Sequence, residues 1–498
     1  MLIDLENLSF RFRGSEGYAL RHVDLSIASG EFLVITGPSG CGKSTLALAI
    51  GGYLFRQFDG DAVGRVTVAG MDVREQPIHD VAEVVGLVQQ NPELQFCTLT
   101  VQDEVAFGLE NRCLPRDEIR ERMTWALSIV GAEHLLGRPL ATLSGGEKQK
   151  VAIAAIMAAK PQVLIFDEPT SNLDPPATAE IFAVIEHIRA KAGITVIVIE
   201  HKVEFLLPFQ PRLVAMEAGA IISDGPASAA DSLPPQRPGR LNTQRSIARP
   251  NPRNRVAHVG QVPLVCVEDL HTGYNGHPVL HGVSLKVCPG EFVAVMGDNG
   301  SGKTTLLRSL LGLLKPLRGR VRVLDQDTRH SSVSTLAREV GFLFQNPDHQ
   351  LFADSVWDEA VLALGNFGLL DSAAVARIEE LLRQCGLGER GDEHPYRLSY
   401  GQKRRLNLIS LLAYGPRLFL LDEMLIGQDH ANATFLLDML SERVDAGNAV
   451  IMVNHAPRIT GRYATRVIFL SGGQVVVDSP AAHASERLTA IGREAYVP

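Results

Sequence analysis

No run in the 498-residue sequence approaches the roughly 18 consecutive apolar residues that a membrane-crossing helix needs, so nothing in it is expected to span a bilayer by itself. The opening residues Met1–Glu6 carry no basic stretch followed by a long apolar one, and no signal peptide is expected. Cysteine is scarce: Cys41, Cys97, Cys113, Cys266, Cys288 and Cys385 are scattered without paired metal-ligand spacing, which argues against zinc ribbons and iron–sulfur centres. These thiols read as small buried or loop residues in a reducing compartment, with Cys41 the one that thiol reagents should find. Positive charge is not in excess either. Lys and Arg number 48 against 56 Asp and Glu, a formal net charge of −8, so no direct nucleic-acid binding is expected. What the chain does have is 45% apolar residues and length for two or more domains with large cores.

The stretch Gly37-Pro38-Ser39-Gly40-Cys41-Gly42-Lys43-Ser44-Thr45 follows the apolar run 32–36 and precedes the helix-forming run 46–50. Strand, glycine loop and helix in that order match the P-loop pattern at every fixed position. Backbone N–H groups of such a loop cradle phosphate oxygens, Lys43 can reach the β and γ phosphates, and the Ser44 hydroxyl can coordinate magnesium. The pattern returns as Gly297-Asp298-Asn299-Gly300-Ser301-Gly302-Lys303-Thr304-Thr305, again after an apolar run, 292–296. Other landmarks repeat at a nearly constant offset: Gln90 with Gln345, Ser144 with Ser399, Glu168 with Glu423, His201 with His455. The chain is therefore expected to hold two homologous domains, 1–230 and 259–498. Residues 231–258 between them, with five prolines and six arginines, read as a solvated tether, whose charge is the one feature that would suit acidic lipid or RNA.

Within the first half, Leu8–Phe12 and Leu20–Leu25 alternate like edge antiparallel strands, 64–68 reads as a further strand and 84–88 as a core strand. Residues 91–145 carry helical patterns and no strand signal, which predicts a separate helical layer. A βαβ core returns at 162–166 and 194–199, and the second half repeats the order. Asp167 and Glu168 end a core strand beside the P-loop. There Asp167 can hold magnesium through water and Glu168 can polarise the attacking water; Asp422 and Glu423 repeat the pair. Leu143-Ser144-Gly145-Gly146-Glu147 reads as a capped helix start whose glycines let backbone N–H groups approach a phosphate.

Leu143–Glu147 lying between a P-loop and Ile165-Phe166-Asp167-Glu168 resembles the signature of ABC-type ATPases. The resemblance implies an α/β fold in which each tandem P-loop domain has a RecA-like parallel-sheet core, an antiparallel β subdomain and a helical signature subdomain. It implies ATP and Mg2+ as the bound pair. Gln90 and Gln345 become Q-loop glutamines that sense magnesium, and Ser44, Thr304, Asp167 and Asp422 its other ligands. His201 and His455 become switch histidines that contact the γ phosphate, catalytic residues along with Glu168 and Glu423. Ser171-Asn172-Leu173-Asp174 becomes the D-loop, and Phe12 and Tyr274 would stack on adenine. Ser144, Gly145, Gly146, Ser399 and Gly401 would contact nucleotide across a head-to-tail pairing of the two halves.

A narrower resemblance rests on Asn91-Pro92-Glu93-Leu94-Gln95-Phe96, repeated as Asn346-Pro347-Asp348-His349-Gln350-Leu351-Phe352. This segment is similar to one in the energising ATPases of energy-coupling factor (ECF) vitamin and metal-ion importers, here in fused form. Such ATPases drive a transmembrane coupling protein and small substrate-capturing membrane proteins. The resemblance thus implies peripheral attachment at the cytoplasmic face of the membrane, with Phe96 and Phe352 on the partner-facing helical layers. ATPases of ribose-type sugar importers, or soluble tandem ATPases acting on ribosomes or nucleic acid, are the alternatives. The halves are not equivalent: the second signature reads Leu398-Ser399-Tyr400-Gly401-Gln402, and Met424 stands where proline follows Glu168. Nucleotide is expected at both sites. If the Tyr400 ring crowds the phosphate facing it, the site of Glu168 should turn over slowly and that of Glu423 should carry most hydrolysis.

Overall fold

The computed structural model describes residues 1–15, 17–171, 173–201, 203–227, 262–454 and 461–497, without the side chain of His430. Asn172, His455 and the whole 231–258 segment lie outside the described residues. Contacts divide the chain into two compact units, Met1–Arg237 and Pro238–Pro498.

In the first unit the strands are β1 (Ile3–Phe12), β2 (Leu20–Ile27), β3 (Phe32–Thr36), β4 (Gly60–Val68), β5 (Met71–Asp72), β6 (Val85–Val88), β7 (Val163–Asp167), β8 (Thr195–Ile199), β9 (Arg212–Glu217) and β10 (Ala220–Pro226). An antiparallel sheet has the order β2-β1-β4-β5, and a six-stranded sheet the order β10-β9-β3-β8-β7-β6. Strands β9, β3, β8, β7 and β6 run parallel, and β10 closes one edge antiparallel. The parallel strands are apolar along their length because helices cover both faces; every residue of β3 and β8 is buried. Strand β6 stands at the sheet edge rather than in its middle, yet three of its four residues are buried.

The predicted helical layer consists of Val101–Glu110, Arg116–Ile129 and Gly145–Met157. Val101, Val105, Met123, Leu127, Val151 and Ile153 pack there in one core with Phe166 and Val198 of the sheet. That continuity fixes the signature helix against the strands that carry the acidic pair.

The second unit repeats the plan with β11 (Val265–Tyr274), β12 (His277–Val287), β13 (Phe292–Gly297), β14 (Arg318–Val323), β15 (Gln326–Asp327), β16 (Val340–Leu343), β17 (Leu418–Asp422), β18 (Ala449–Val453), β19 (Arg466–Ser471) and β20 (Gln474–Pro480). Its sheets have the orders β12-β11-β14-β15 and β16-β17-β18-β13-β19-β20. Helices Val356–Phe367, Ser372–Gln384 and Tyr400–Tyr414 form its helical layer. Each unit is thus a parallel-sheet core with an antiparallel subdomain and a helical subdomain, the architecture expected for a duplicated ABC-type ATPase.

Candidate nucleotide sites

In each unit the phosphate loop joins the central strand to a helix that begins at its lysine, Lys43–Ile50 or Lys303–Leu310. Only glycine fits at its turns. Gly37 has φ 148° and a Cβ there would lie 2.2 Å from the Met216 carbonyl oxygen; at Gly42, φ 103°, it would lie 2.3 Å from that of Ala19. The buried Lys43 Nζ donates to the Gly37 and Pro38 carbonyls at 2.8 and 3.0 Å, and Lys303 Nζ to those of Gly297 and Asp298 at 2.8 and 2.9 Å. Ser39, Gly40 and Thr45 complete the first loop, and Asn299, Gly300, Ser301 and Thr305 the second.

Cys41 corrects the sequence-based expectation. It is 5% exposed and packs under the loop, whereas Cys97 and Cys113 are exposed. Brief alkylation followed by peptide mass spectrometry is expected to modify Cys97 and Cys113 well before Cys41.

The magnesium candidates converge. Ser44 Oγ donates to Asp167 Oδ1 at 3.0 Å and Thr304 Oγ1 to Asp422 Oδ2 at 2.8 Å. Burial, then the neighbouring glutamate, pushes each aspartate up to about 6. Asp422 Oδ1 is also buried without a hydrogen-bond partner among the described residues. A buried carboxylate short of partners beside a hydroxyl fits a hard cation that takes its remaining oxygens from water and phosphate. No cluster of three or more His, Cys, Asp or Glu among the described residues would make a cage independent of nucleotide.

Past each aspartate the backbone turns into the left-handed region, φ 46° at Glu168 and 52° at Glu423. That conformation is costly for a residue with a Cβ, and its recurrence at both glutamates marks a constrained functional position. The Glu168 N–H donates to Ile199 O at 2.9 Å and that of Glu423 to Val453 O at 3.1 Å, which pins each turn to the next strand. Gln90 Nε2 donates to Glu168 Oε2 at 3.0 Å, and Gln345 Nε2 to Glu423 Oε2 at 2.9 Å. His201 Nε2 lies 3.1 Å from Glu168 Oε1. The structure therefore gathers Gln90 and His201 at the Glu168 carboxylate. Nothing in the sequence marks the buried Glu200. It accepts from the Thr170 hydroxyl at 2.7 Å and from the His201 N–H at 2.8 Å, and so anchors the histidine backbone.

The aromatic candidates differ. Phe12 packs edge-on against Phe10 and Phe58, whereas the Tyr274 hydroxyl accepts from Arg308 of the phosphate-loop helix at 3.1 Å.

The signature helices start with reciprocal capping boxes, Ser144 with Glu147 and Ser399 with Gln402. Gly145 and Tyr400 each occupy the first helical position. A Cβ at Gly146 would meet only Ala177 Cβ at 3.3 Å, but one at Gly401 would lie 2.4 Å from the Gly427 carbonyl. Tyr400 does not stand free at the helix start. Its hydroxyl donates to the Gln345 carbonyl at 3.1 Å and accepts from Arg404 Nη2 at 3.0 Å. Arg404 is fully buried and donates to the carbonyls of Phe344, Gln345 and Asp422. Gln149 occupies that place in the first unit, its amide nitrogen buried without a hydrogen-bond partner among the described residues.

The Asn-Pro-acid segments have a mechanical reading. Asn91 and Asn346 cap a short turn by accepting from the N–H two residues on, each at 3.0 Å. Glu93 pairs with Lys148 and Asp348 with Lys403 at 2.7 Å, on the signature helices. Gln95 and Gln350 accept from the backbone of Gln89 and Phe344 at 3.2 and 2.9 Å. Two buried glutamates, indistinguishable in the sequence from ordinary helix residues, hold the end of each segment. Glu104 accepts from the N–H groups of Cys97 and Thr98, and Glu359 from those of Phe352 and Ala353. Phe352 is left 75% exposed. Phe96 instead packs partly into the first helical core, and Leu94 and Leu99 are the exposed apolar side chains of its segment.

The family model described as ABC transporter matches residues 20–171 and 280–425. A putative ABC transporter ATP-binding protein of Methanosarcina mazei is 34% identical, with 99% of this chain and 91% of that protein covered. The putative HMP/thiamine import ATP-binding protein YkoD of Bacillus subtilis is 33% identical, with 96% and 92% covered. A solved structure of cbiO1 from Clostridium perfringens, described as part of the ABC transporter complex cbiONQ, is 32% identical over 47% of this chain and 91% of that one, with a TM-score of 0.43. With two family domains, two phosphate loops and two strand-end glutamates, the chain belongs to the ABC transporter family as a fused tandem ATPase that binds and hydrolyses ATP, and it resembles the energising subunits of ECF importers.

Proposed function

We propose that this chain is the ATP-hydrolysing subunit that powers uptake of a small molecule, a vitamin or a metal ion, through an ECF-type membrane transporter. The observation that carries the reading is the Asn-Pro-acid segment, present in both units and braced in both to the signature helix and to the backbone of the residue just before the Q-loop glutamine. Such bracing ties an exposed apolar surface to the ATP machinery. In the second unit Phe352 borders an apolar groove of about 420 Å3, lined also by Phe344, Leu362, Phe367 and Tyr414, which suits a helix of the membrane coupling protein. Among the described residues no helix is long and apolar enough to cross a membrane, so the pathway would belong to partners and the chain would sit at the membrane's cytoplasmic face. The name of YkoD, HMP/thiamine import, favours a vitamin-type cargo over a ribose-type sugar.

In this reading Lys43, Lys303 and the loop N–H groups hold the phosphates. Ser44 with Asp167, and Thr304 with Asp422, would hold Mg2+, which supplies charge neutralisation at the β and γ oxygens. Glu168 and Glu423 orient the attacking water. Gln90 and Gln345, each bonded to its glutamate, report the state of the site to the partner-facing segment. The test is purification through this chain from its native membranes in mild detergent, with mass spectrometry of what is retained. A multi-spanning coupling protein together with a small membrane protein is expected. Recovery of ribosomal proteins, or of a permease with a periplasmic sugar-binding protein, would contradict it.

A further inference from the structure

In the second unit the phosphate loop is gripped from outside by a segment that the nucleotide chemistry does not call for. After the helix Ala481–Ala490 the chain reverses at Gly492, φ 69°, and the Arg493 N–H donates back to Leu488 O at 2.9 Å. The reversal brings Arg493 and Tyr496 to Asp298, the second residue of the loop. Arg493 Nη2 lies 2.9 Å from Asp298 Oδ2, the Tyr496 hydroxyl donates to Oδ1 at 3.2 Å, and Ser471 Oγ donates to Oδ2 at 3.4 Å. Tyr496 is fully buried with its ring edge-on to Phe469 at 4.9 Å, and the Arg493 guanidinium lies 5.9 Å from the same ring's centroid. Tyr496 is packed in place, and Arg493, 35% exposed, lies over the loop's carboxylate from the solvent side.

The first unit shows what this grip replaces. Pro38 occupies the equivalent position, and its carbonyl accepts from Lys43 Nζ at 3.0 Å and from the Cys41 N–H at 3.2 Å. The Asp298 carbonyl accepts from Lys303 Nζ at 2.9 Å and from the Ser301 N–H at 3.2 Å, so the two loops have the same internal bonds. Proline fixes its own φ; aspartate does not, and it also brings a negative charge into a loop that must hold a triphosphate. We propose that Arg493 and Tyr496 are positioning residues of the second ATP site, holding Asp298 in place of the missing proline and neutralising its charge toward the phosphates. This rests on the assignment of Gly297–Thr305 as a phosphate site.

The test is ATP binding by the full chain, with one loop silenced at a time and a fluorescent ATP analogue as probe. With Lys43→Ala only the second loop reports, and Arg493→Gln is expected to weaken binding about tenfold, because a half-exposed carboxylate is left uncompensated near the phosphates. The loss should shrink as salt is raised. Arg493→Lys should retain most of the affinity, and Asp298→Asn should restore it in the Arg493→Gln chain by removing the charge that needed a partner. Asp298→Pro should make binding insensitive to Arg493→Gln and to Tyr496→Phe. With Lys303→Ala only the first loop reports, and none of these changes should matter. Unchanged affinity in the Lys43→Ala, Arg493→Gln chain, or equal losses at both loops, would overturn the clamp. Absence of binding in the Lys43→Ala chain before any further change would overturn the loop assignment itself.

Discussion

Glu423→Gln is expected to leave about a tenth of the wild-type ATPase rate of the assembled transporter, and Glu168→Gln about nine-tenths, with ATP bound at both sites in each variant. Removing a positioned base costs its own site on the order of a hundredfold or more, so what remains in either variant reports the other site. The asymmetry comes from how each Q-loop glutamine is held. Gln345 gives its amide to Glu423 while its backbone carbonyl accepts from Tyr400 and Arg404. Gln90 gives its amide to Glu168, but the residue equivalent to Arg404 is Gln149 and that equivalent to Tyr400 is Gly145. Two extra hydrogen bonds at the Gln345 carbonyl, each worth about 1 kcal/mol net, favour the ordered arrangement at Glu423 enough for roughly tenfold in rate. The sequence suggested the same direction for another reason, a Tyr400 ring crowding a phosphate. The ring is instead engaged within its own unit, stacked toward Arg404 with 5.2 Å between the guanidinium carbon and the ring centroid. Near-equal losses in the two glutamate variants, or a dead Glu168→Gln beside an active Glu423→Gln, would refute this asymmetry.

The phosphate loops were legible in the sequence because Gly37, Gly42 and Gly297 combine a positive φ with a backbone oxygen within 2.3 Å of any added Cβ, a pairing that a residue with a side chain does not tolerate. The parallel strands were legible because burial on both faces writes itself as an uninterrupted apolar run. The antiparallel pair Ile3–Phe12 and Leu20–Ile27 showed through its alternation despite register shifts after Leu5 and Leu8. Side-chain networks across long sequence separations were not legible. Nothing local says that Tyr400 and Arg404 reach back to Gln345, that Arg493 reaches Asp298, or that Glu104 and Glu359 turn inward to hold the preceding loop. Nor does spacing reveal burial at a loop. Cys41 looks exposed in a glycine-rich stretch but lies beneath it, and Phe96 packs inward like Leu351, its counterpart at the offset that pairs Gln90 with Gln345, whereas Phe352 corresponds to the exposed Cys97.

At the centre of the proposed function is an ATPase that grips a membrane partner through the surfaces its Asn-Pro-acid segments present. Phe352 and Leu94 are the side chains to change, at 75% and 78% exposure, because neither supports its own core. Replacing both by aspartate should alter folding stability by no more than about 0.5 kcal/mol. Burying a carboxylate against an apolar partner surface is costly, and loss of a central apolar anchor alone is worth about 2 kcal/mol or more, a factor of roughly thirty per side. The measurement is a detergent pull-down of the membrane coupling protein by the wild-type chain and by the Phe352→Asp, Leu94→Asp chain, with ATP binding titrated in parallel. The double variant is expected to bind ATP as the wild type does and to retain little or none of the partner. Full retention of the partner by a double variant that binds ATP normally would contradict the proposed grip.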